Sequence, residues 1–181
     1  MQATDEQLMM RYCDGDGAAF EALYRRHRGP VYRYVQRLAA GDMDTESLYQ
    51  DAWMRVIESR LQWHRDQPFK PWLYRIAHNH VIDVLRRERR LERMDTETVA
   101  TLPSGNPALD IAQLLHDCVQ RLLALLGRLP EVQRSAFLLK EEAGLSLAQI
   151  GEVTGVGRET VKSRLRYALR RLRAGLEGCD E

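Results

Sequence analysis

The stretch Leu145–Arg173, LSLAQIGEVTGVGRETVKSRLRYALRRLR, has the pattern of a helix-turn-helix whose second helix is cationic. Ser146 can cap the first helix while Gln149, three residues on, answers it from inside the helix, the reciprocal arrangement of a capping box. Gly155 supplies the left-handed backbone of a tight turn, so the first helix ends near Thr154 after about two turns. The second helix starts near Arg158 and runs long. Its apolar residues Val161, Leu165, Ala168, Leu169 and Leu172 recur at spacings of three and four, which predicts one stripe turned inward. The complementary face carries Glu159, Lys162, Ser163, Arg166 and Arg170, a mostly positive ridge of the width of a DNA major groove with the helix N-terminus leading at Arg158. A basic stripe alone is more often the solvated side of a helical hairpin. Here short helix, glycine turn and long helix coincide with Arg164, Arg171 and Arg173 as further cations and Glu159 as the lone acid, and DNA binding is the stronger reading.

Size and composition agree with two small helical domains. The chain has 181 residues, and its 44% hydrophobic content suffices for packed cores. A net charge of +1 conceals arginines bunched into local cationic patches, which is how a neutral protein still presents itself to phosphates. Cys13, Cys118 and Cys179 are too scattered for a disulfide framework and fit reduced thiols in a cytoplasmic setting. The start MQATDEQLMMRY lacks a signal-peptide pattern, and no run has the length of a membrane span, so neither export nor membrane insertion is expected.

Upstream, Thr4 can cap a first helix with Gln7 as its partner, and Asp16 or Gly17 marks a break before Phe20, Leu23 and Tyr24. Gly29-Pro30 reads as a further interruption, with Arg25, Arg26, His27 and Arg28 as a solvated helix end before it. Val31, Tyr34, Val35 and Leu38 then keep helical period to a turn at Gly41-Asp42. From Asp44, an acidic start precedes two apolar rows, Leu48, Ala52 and Val56 beside Tyr49, Trp53 and Ile57. The flank Glu46, Gln50, Asp51 and Arg55 is open to two readings, plain surface or partner contact.

Trp63-His64-Arg65-Asp66-Gln67-Pro68-Phe69-Lys70-Pro71 breaks the helical period with an aromatic and basic composition unusual for a connector. Pro71 suits the first position of a new helix, in which Leu73, Ile76, Ala77, His80, Val81, Val84 and Leu85 trace the buried side. That leaves Trp72, Arg75, Asn79, Asp83 and Arg86 as an exposed row, extended by Arg87, Arg89, Arg90 and Arg93. Aromatic faces stack on unpaired bases while arginine and asparagine bond base edges or phosphates. A core-capping Trp72 with solvated arginines is an equal reading from these residues alone. Met94–Pro107 loses hydrophobic period and reads as an interdomain linker. Helix restarts near Asn106-Pro107 with Leu109, Ala112, Leu115, Val119, Leu122 and Leu126 on one face and stops at Gly127; Pro130 opens another, closed at Gly144. Glu141-Glu142 at its end reads as solvated.

Catalytic and metal chemistry find little footing. His78 and His80, two apart, point to different faces of a helix, as do His116 and Cys118. Neither a phosphate loop after a strand nor a nucleophile elbow occurs, and no cofactor, metal or small-molecule substrate is expected.

With DGDGAAFEALYRRHRGPVYRYV, TESLYQDAWMRV, PFKPWLYRIAHNHVIDVLRRERR and the stretch from Leu129 to Arg173 on the page in that order, the chain resembles the extracytoplasmic-function sigma factors, the smallest group of the bacterial sigma-70 family. The resemblance implies an all-α fold of two modules: sigma region two over 1–93, a flexible linker over 94–107, and a four-helix sigma region four over 108–181. It implies that Glu46, Gln50, Asp51 and Arg55 contact the beta-prime clamp helices of RNA polymerase core, with the beta flap as a second contact. It further implies that Trp63, His64, Phe69, Trp72, Arg75, Asn79 and Arg86 open the minus-ten promoter element and hold an extruded base. Arg158, Glu159, Thr160, Lys162, Ser163, Arg166 and Arg170 would face the minus-thirty-five element. An anti-sigma factor is the implied silencer, with membrane tethering only through it. Some positions depart from the family pattern: Gly151 stands where alanine is common and Thr154 where an apolar residue is usual, which is expected to loosen the first helix of the motif, and the short loop before Phe69 carries Trp63-His64 in place of a more typical phenylalanine-arginine pair.

Two rivals belong to other classes. A response regulator shares the last four helices, but its receiver domain would alternate strands with helices, and no strand period occurs. A pure protein-interaction module would keep its arginines for solubility, and its binding would lack the steep salt dependence of phosphate contacts.

Overall fold

In a computed structural model, the chain is described over residues 3–40, 43–92 and 111–177, the side chains of 92 and 111–115 excepted. The Gly41-Asp42 turn, the linker, both module boundaries, the restart at Asn106-Pro107, the start of the α5 stripe, Arg93 and Cys179 lie outside the described residues. The elements in order are α1 (Asp5–Cys13), α2 (Gly17–Ala39), α3 (Thr45–Glu58), a 3-10 turn (Arg60–Gln62), α4 (Phe69–Glu92), α5 (Ile111–Arg128), α6 (Glu131–Glu141), α7 (Leu147–Thr154) and α8 (Arg158–Leu176).

Local chemistry sets most boundaries. Thr4 and Gln7 form the expected capping box of α1, and Asp16 caps α2 by accepting from the amides of Ala18 and Ala19. Asp44 caps α3 through the amide of Ser47. Pro71 is the third rather than the first residue of α4, still inside the turn where a missing N–H costs nothing. Gly127 does not stop α5, which continues to Arg128.

Gly29-Pro30 does not interrupt α2. The helix passes through Pro30 because its stripe of Leu23, His27, Val31, Tyr34, Val35 and Leu38 is buried on both sides of the proline, and that burial offsets the cost of about 3 kcal/mol of a proline inside a helix. The basic cluster is therefore no helix end. His27 is buried with Nε2 2.7 Å from Asp5 Oδ2, Arg26 bonds the other oxygen of Asp5 at 2.9 Å, and Arg25 pairs with Glu21. The hydrogen bond from His27, ahead of the opposing burial, holds the Asp5 carboxyl below its ordinary range.

α4 is the central element. It packs against α1, α2 and α3 on one side and against α7 on the other, while α6 leans on α2. One hydrophobic core consequently runs through both halves of the chain, from Leu23, Tyr34, Trp53, Phe69 and Tyr74 to Leu138, Leu139, Ile150 and Val161. A smaller core joins α5 to α8 through Leu126, Leu129, Ala168 and Leu172.

Candidate nucleic-acid interface

The helix-turn-helix forms as its sequence dictates. Ser146 accepts from the amide of Gln149, whose side chain accepts from the amide of Ser146, and Gly155 closes α7 in the left-handed conformation at φ 68°. Gly151 tightens the motif rather than loosening it. A Cβ there would lie 2.7 Å from the Val156 carbonyl oxygen, so the close approach of the turn to α7 requires a residue without a side chain. Thr154 is half-buried and donates its hydroxyl to the Ile150 carbonyl at 2.7 Å, which satisfies it in place of an apolar contact.

α8 presents Arg158, Glu159, Thr160, Lys162, Arg166 and Arg170 to solvent, with Ser163 half-buried among them. Arg158, Lys162, Arg166 and Arg170 stand four apart and form a slowly winding row. Tyr167, which the sequence reading passed over, is exposed between two of them; the guanidinium carbons of Arg166 and Arg170 lie 5.5 and 5.1 Å from its ring centroid. The ring restrains both arginines in place. Leu169 is not part of the inward stripe. It is exposed and lines, with Leu147 and Leu165, an open groove of about 570 Å³ edged by Lys162, Arg166 and Arg170. Arg164 leaves the row as well, turning toward α4 beside His78 and Arg86.

The second set divides by burial. His64, Asn79 and Arg86 are exposed and Arg75 is half-buried, but Trp63, Phe69 and Trp72 are only 5%, 0% and 3% exposed. The expected exposed row is corrected at Trp72: its indole and the other two rings are core side chains, and Phe69 packs against Trp72 and His27. The physical reason lies in α1, which covers the start of α4. Glu6 accepts from the Phe69 amide at 3.1 Å, the Cys13 thiol donates to the Arg60 carbonyl at 3.2 Å, and Arg65 reaches Asp14 at 3.7 Å. The loop is thus pinned from below while His64 stays outside.

His78 and His80 do point apart. His80 is buried beside Asp51, Nε2 to Oδ2 3.6 Å, and burial lowers its pKa. The hydroxyls of Tyr34 and Ser135 converge on His78 Nδ1 at 3.0 and 3.2 Å. Burial, reinforced by Arg86 and Arg164, lowers the His78 pKa to about 4, so the imidazole is neutral near pH 7. Glu46, Gln50, Asp51 and Arg55 share one exposed face of α3, with the Gln50 amide donating to Glu46 at 2.9 Å. Among the described residues, no cluster of three or more His, Cys, Asp or Glu could hold a metal ion, and no helix is long and apolar enough to cross a membrane.

Residues 23–91 match the family described as Sigma-70 region 2, and residues 119–172 that described as Sigma-70, region 4. The extracytoplasmic-function (ECF) RNA polymerase sigma factor SigE of Mycolicibacterium smegmatis is 36% identical over 88% of this chain, which spans 63% of that relative. SigL of Mycobacterium tuberculosis, also an ECF RNA polymerase sigma factor, is 31% identical over 90% of this chain and 91% of its own. The fold is shared with CnrH, solved in complex with the cytosolic domain of CnrY, at a TM-score of 0.71 and 24% identity over 96% of this chain and 97% of that one. It is shared too with RpoE of Bartonella quintana, solved with the anti-sigma factor NepR, at a TM-score of 0.69 and 24% identity over 88% and 97%.

Proposed function

This chain belongs to the extracytoplasmic-function sigma factors of the sigma-70 family, and from that premise we infer how its surfaces divide the work of starting transcription. It binds core RNA polymerase and directs it to a set of promoters. α8 enters the major groove of the minus-thirty-five element, with Arg158, Lys162, Ser163 and Arg166 nearest the bases or backbone and Arg170 on the flanking phosphates. Glu159 and Thr160 lead the helix into the groove.

The loop before α4 and the exposed edge of that helix meet the minus-ten element. His64, Arg75, Asn79 and Arg86 face the parted strand, and Trp63, Phe69 and Trp72 hold the surface in shape from beneath. Extruding a base costs a few kcal/mol, which a fixed pocket and arginine contacts to phosphate can offset. Glu46, Gln50, Asp51 and Arg55 on α3 take the beta-prime clamp helices, and region four takes the beta flap. An anti-sigma factor silences the protein, by analogy with the anti-sigma factor NepR named for the RpoE complex. The protein acts in the cytoplasm as an initiation factor and carries out no chemistry of its own.

The observation that supports this most is the exposed four-apart cationic row of α8, held by a glycine-closed turn and joined in one chain to α4 with its own basic edge. In vitro transcription with purified core polymerase and a promoter library tests it: initiation that depends on added protein is expected, and its absence at every promoter would overturn the reading. Asp51→Arg should abolish co-purification with core while DNA binding by α8 persists. Normal co-purification would remove α3 from the polymerase contact.

A further inference from the structure

The loop that leads into α4 is exposed in its middle and anchored at both ends. His64, Arg65 and Asp66 face solvent, while Trp63 before them and Phe69 after them are buried. The amide of Gln67 donates to the His64 carbonyl at 2.9 Å, so the exposed residues form one tight turn hung between two buried rings. Where the turn points is set by where those rings sit.

Both anchors are tied to α1. The start of α4 cannot cap itself, because the residue before it is Pro68, which has no side-chain acceptor, and Pro71 leaves Phe69 and Lys70 as the amides of its opening that need partners. Glu6 of α1 supplies the cap from outside, its Oε1 accepting from the Phe69 amide at 3.1 Å across 63 residues of sequence. A carboxylate there also meets the positive end of the α4 dipole. At the other end of the loop, the Cys13 thiol donates to the Arg60 carbonyl at 3.2 Å, and the guanidinium carbon of Arg60 lies 5.8 Å from the Tyr12 ring centroid. These ties are unequal. The Arg65–Asp14 pair spans 3.7 Å with both side chains at least 70% exposed and contributes little, and a thiol is a weak donor. The half-buried carboxylate of Glu6 makes the strongest hold. α1 is itself fixed: Leu8 and Met9 are buried, Asp5 is bonded to Arg26 and His27 of α2, and the His27 ring packs on Phe69 with centroids 5.4 Å apart.

We propose that α1 is a brace for the minus-ten loop, with Glu6 as a positioning residue that sets which bases the loop accepts. The minus-ten assignment rests on the sigma-factor reading above; the hold of α1 on the loop rests on these contacts. Glu6 meets no DNA in this scheme. It acts through Phe69 on the turn that carries His64, while Cys13 acts through Arg60 on Trp63. α1 ends ahead of residues 23–91, so this role is separate from what the match over that stretch implies.

Amide hydrogen exchange by NMR on the full chain, and in vitro transcription with core polymerase on promoters randomised at the minus-ten element, are the test. Glu6→Ala should speed exchange at Phe69 by about tenfold, the scale of a lost charge-assisted hydrogen bond, and at Gln67 by less. It should also reorder the minus-ten sequences by initiation and lower the preference for the best wild-type sequence over the library mean, while affinity for minus-thirty-five duplex stays as in wild type. Glu6→Gln, which keeps an acceptor oxygen without the charge, should fall between. A role in stability alone would lower initiation evenly and keep the order of sequences; that result, or unchanged exchange at Phe69, would overturn the brace. Should Glu6→Ala lose helicity by circular dichroism, Cys13→Val frees the other end of the loop and is judged by exchange at Gln67 and by the same reordering, with smaller shifts expected. If the wild type itself initiates at no promoter, the sigma-factor reading fails and exchange alone decides the brace.

Discussion

α4 and α8 are both long, arginine-rich helices, yet they are built in opposite ways. α8 buries a narrow stripe of Val161, Ala168 and Leu172 against α5, α6 and α7 and leaves its other faces to solvent. α4 is enclosed by four helices, and Trp72, Leu73, Tyr74, Ala77, His78, Val81 and Ile82 are all buried. A helix with neighbours on one side advertises its partner face along its whole length. A helix with neighbours on two sides keeps only a thin polar edge, here Asn79, Asp83, Arg86 and Arg87, and spends its aromatics on the core.

Removing one side chain from each helix is the sharpest way to break that contrast. Trp72→Ala should destabilise the fold by about 3–5 kcal/mol through the cavity it leaves, measured by urea denaturation. A midpoint unchanged from wild type would mean the indole is an exposed DNA-stacking group after all. Lowering pH should act on α4 through His78, which binds its proton at about 4 in the fold and near 6.5 when unfolded. The unfolded chain therefore holds more protons between those values, and stability is lost as pH falls from 6.5 toward 4, by about 2 kcal/mol between pH 7 and pH 5. Denaturation at the two pH values measures it, and His78→Asn should remove most of the difference. A wild-type stability flat across that window would show that His78 is not held neutral.

Smaller effects probe the α8 side. Gly151→Ala should cost about 1 kcal/mol, because the clash with the Val156 carbonyl outweighs the gain in helix propensity. A rise in thermal midpoint would show that the turn can move away. Lys162→Ala should change stability by less than about 0.5 kcal/mol, since the ammonium is exposed and only 3.8 Å from Glu159 at its nearest. Its effect belongs to DNA: affinity for duplex falls across sequences and the slope of log K against log salt flattens by about one. An unchanged slope would take the residue off the backbone.

Much of α8 and its motif was legible beforehand, because caps, a left-handed glycine and a one-sided apolar stripe are local signals. Ser146, Gln149 and Gly155 do what their spacing announces. The misreadings share a cause. From its own helix Trp72 or Glu142 reads as exposed, Leu169 as buried and the Gly29-Pro30 pair as a break, and each is decided by what other helices do around it. Phe69, its amide held by Glu6 of α1, packs against the buried Trp72, no neighbour closes over Leu169, Arg33 and Arg37 draw Glu142 inward, and packing on both flanks carries α2 past Pro30. Arg33 and Arg37 stand one turn apart, where a single carboxylate can bridge them, but arginines at that spacing are as readily solvated, so the sequence did not single out Glu142.

The sequence alone determined the helices, their caps and the cationic ridge of α8, because these follow from interactions among residues within about one turn of each other. Only the tertiary structure decided which side of α4 faces water, where Glu142 and Arg164 point, and that three polar side chains from three helices share one buried node. Burial is a property of neighbours far along the chain, and a helix's own periodicity does not say how many of them will come.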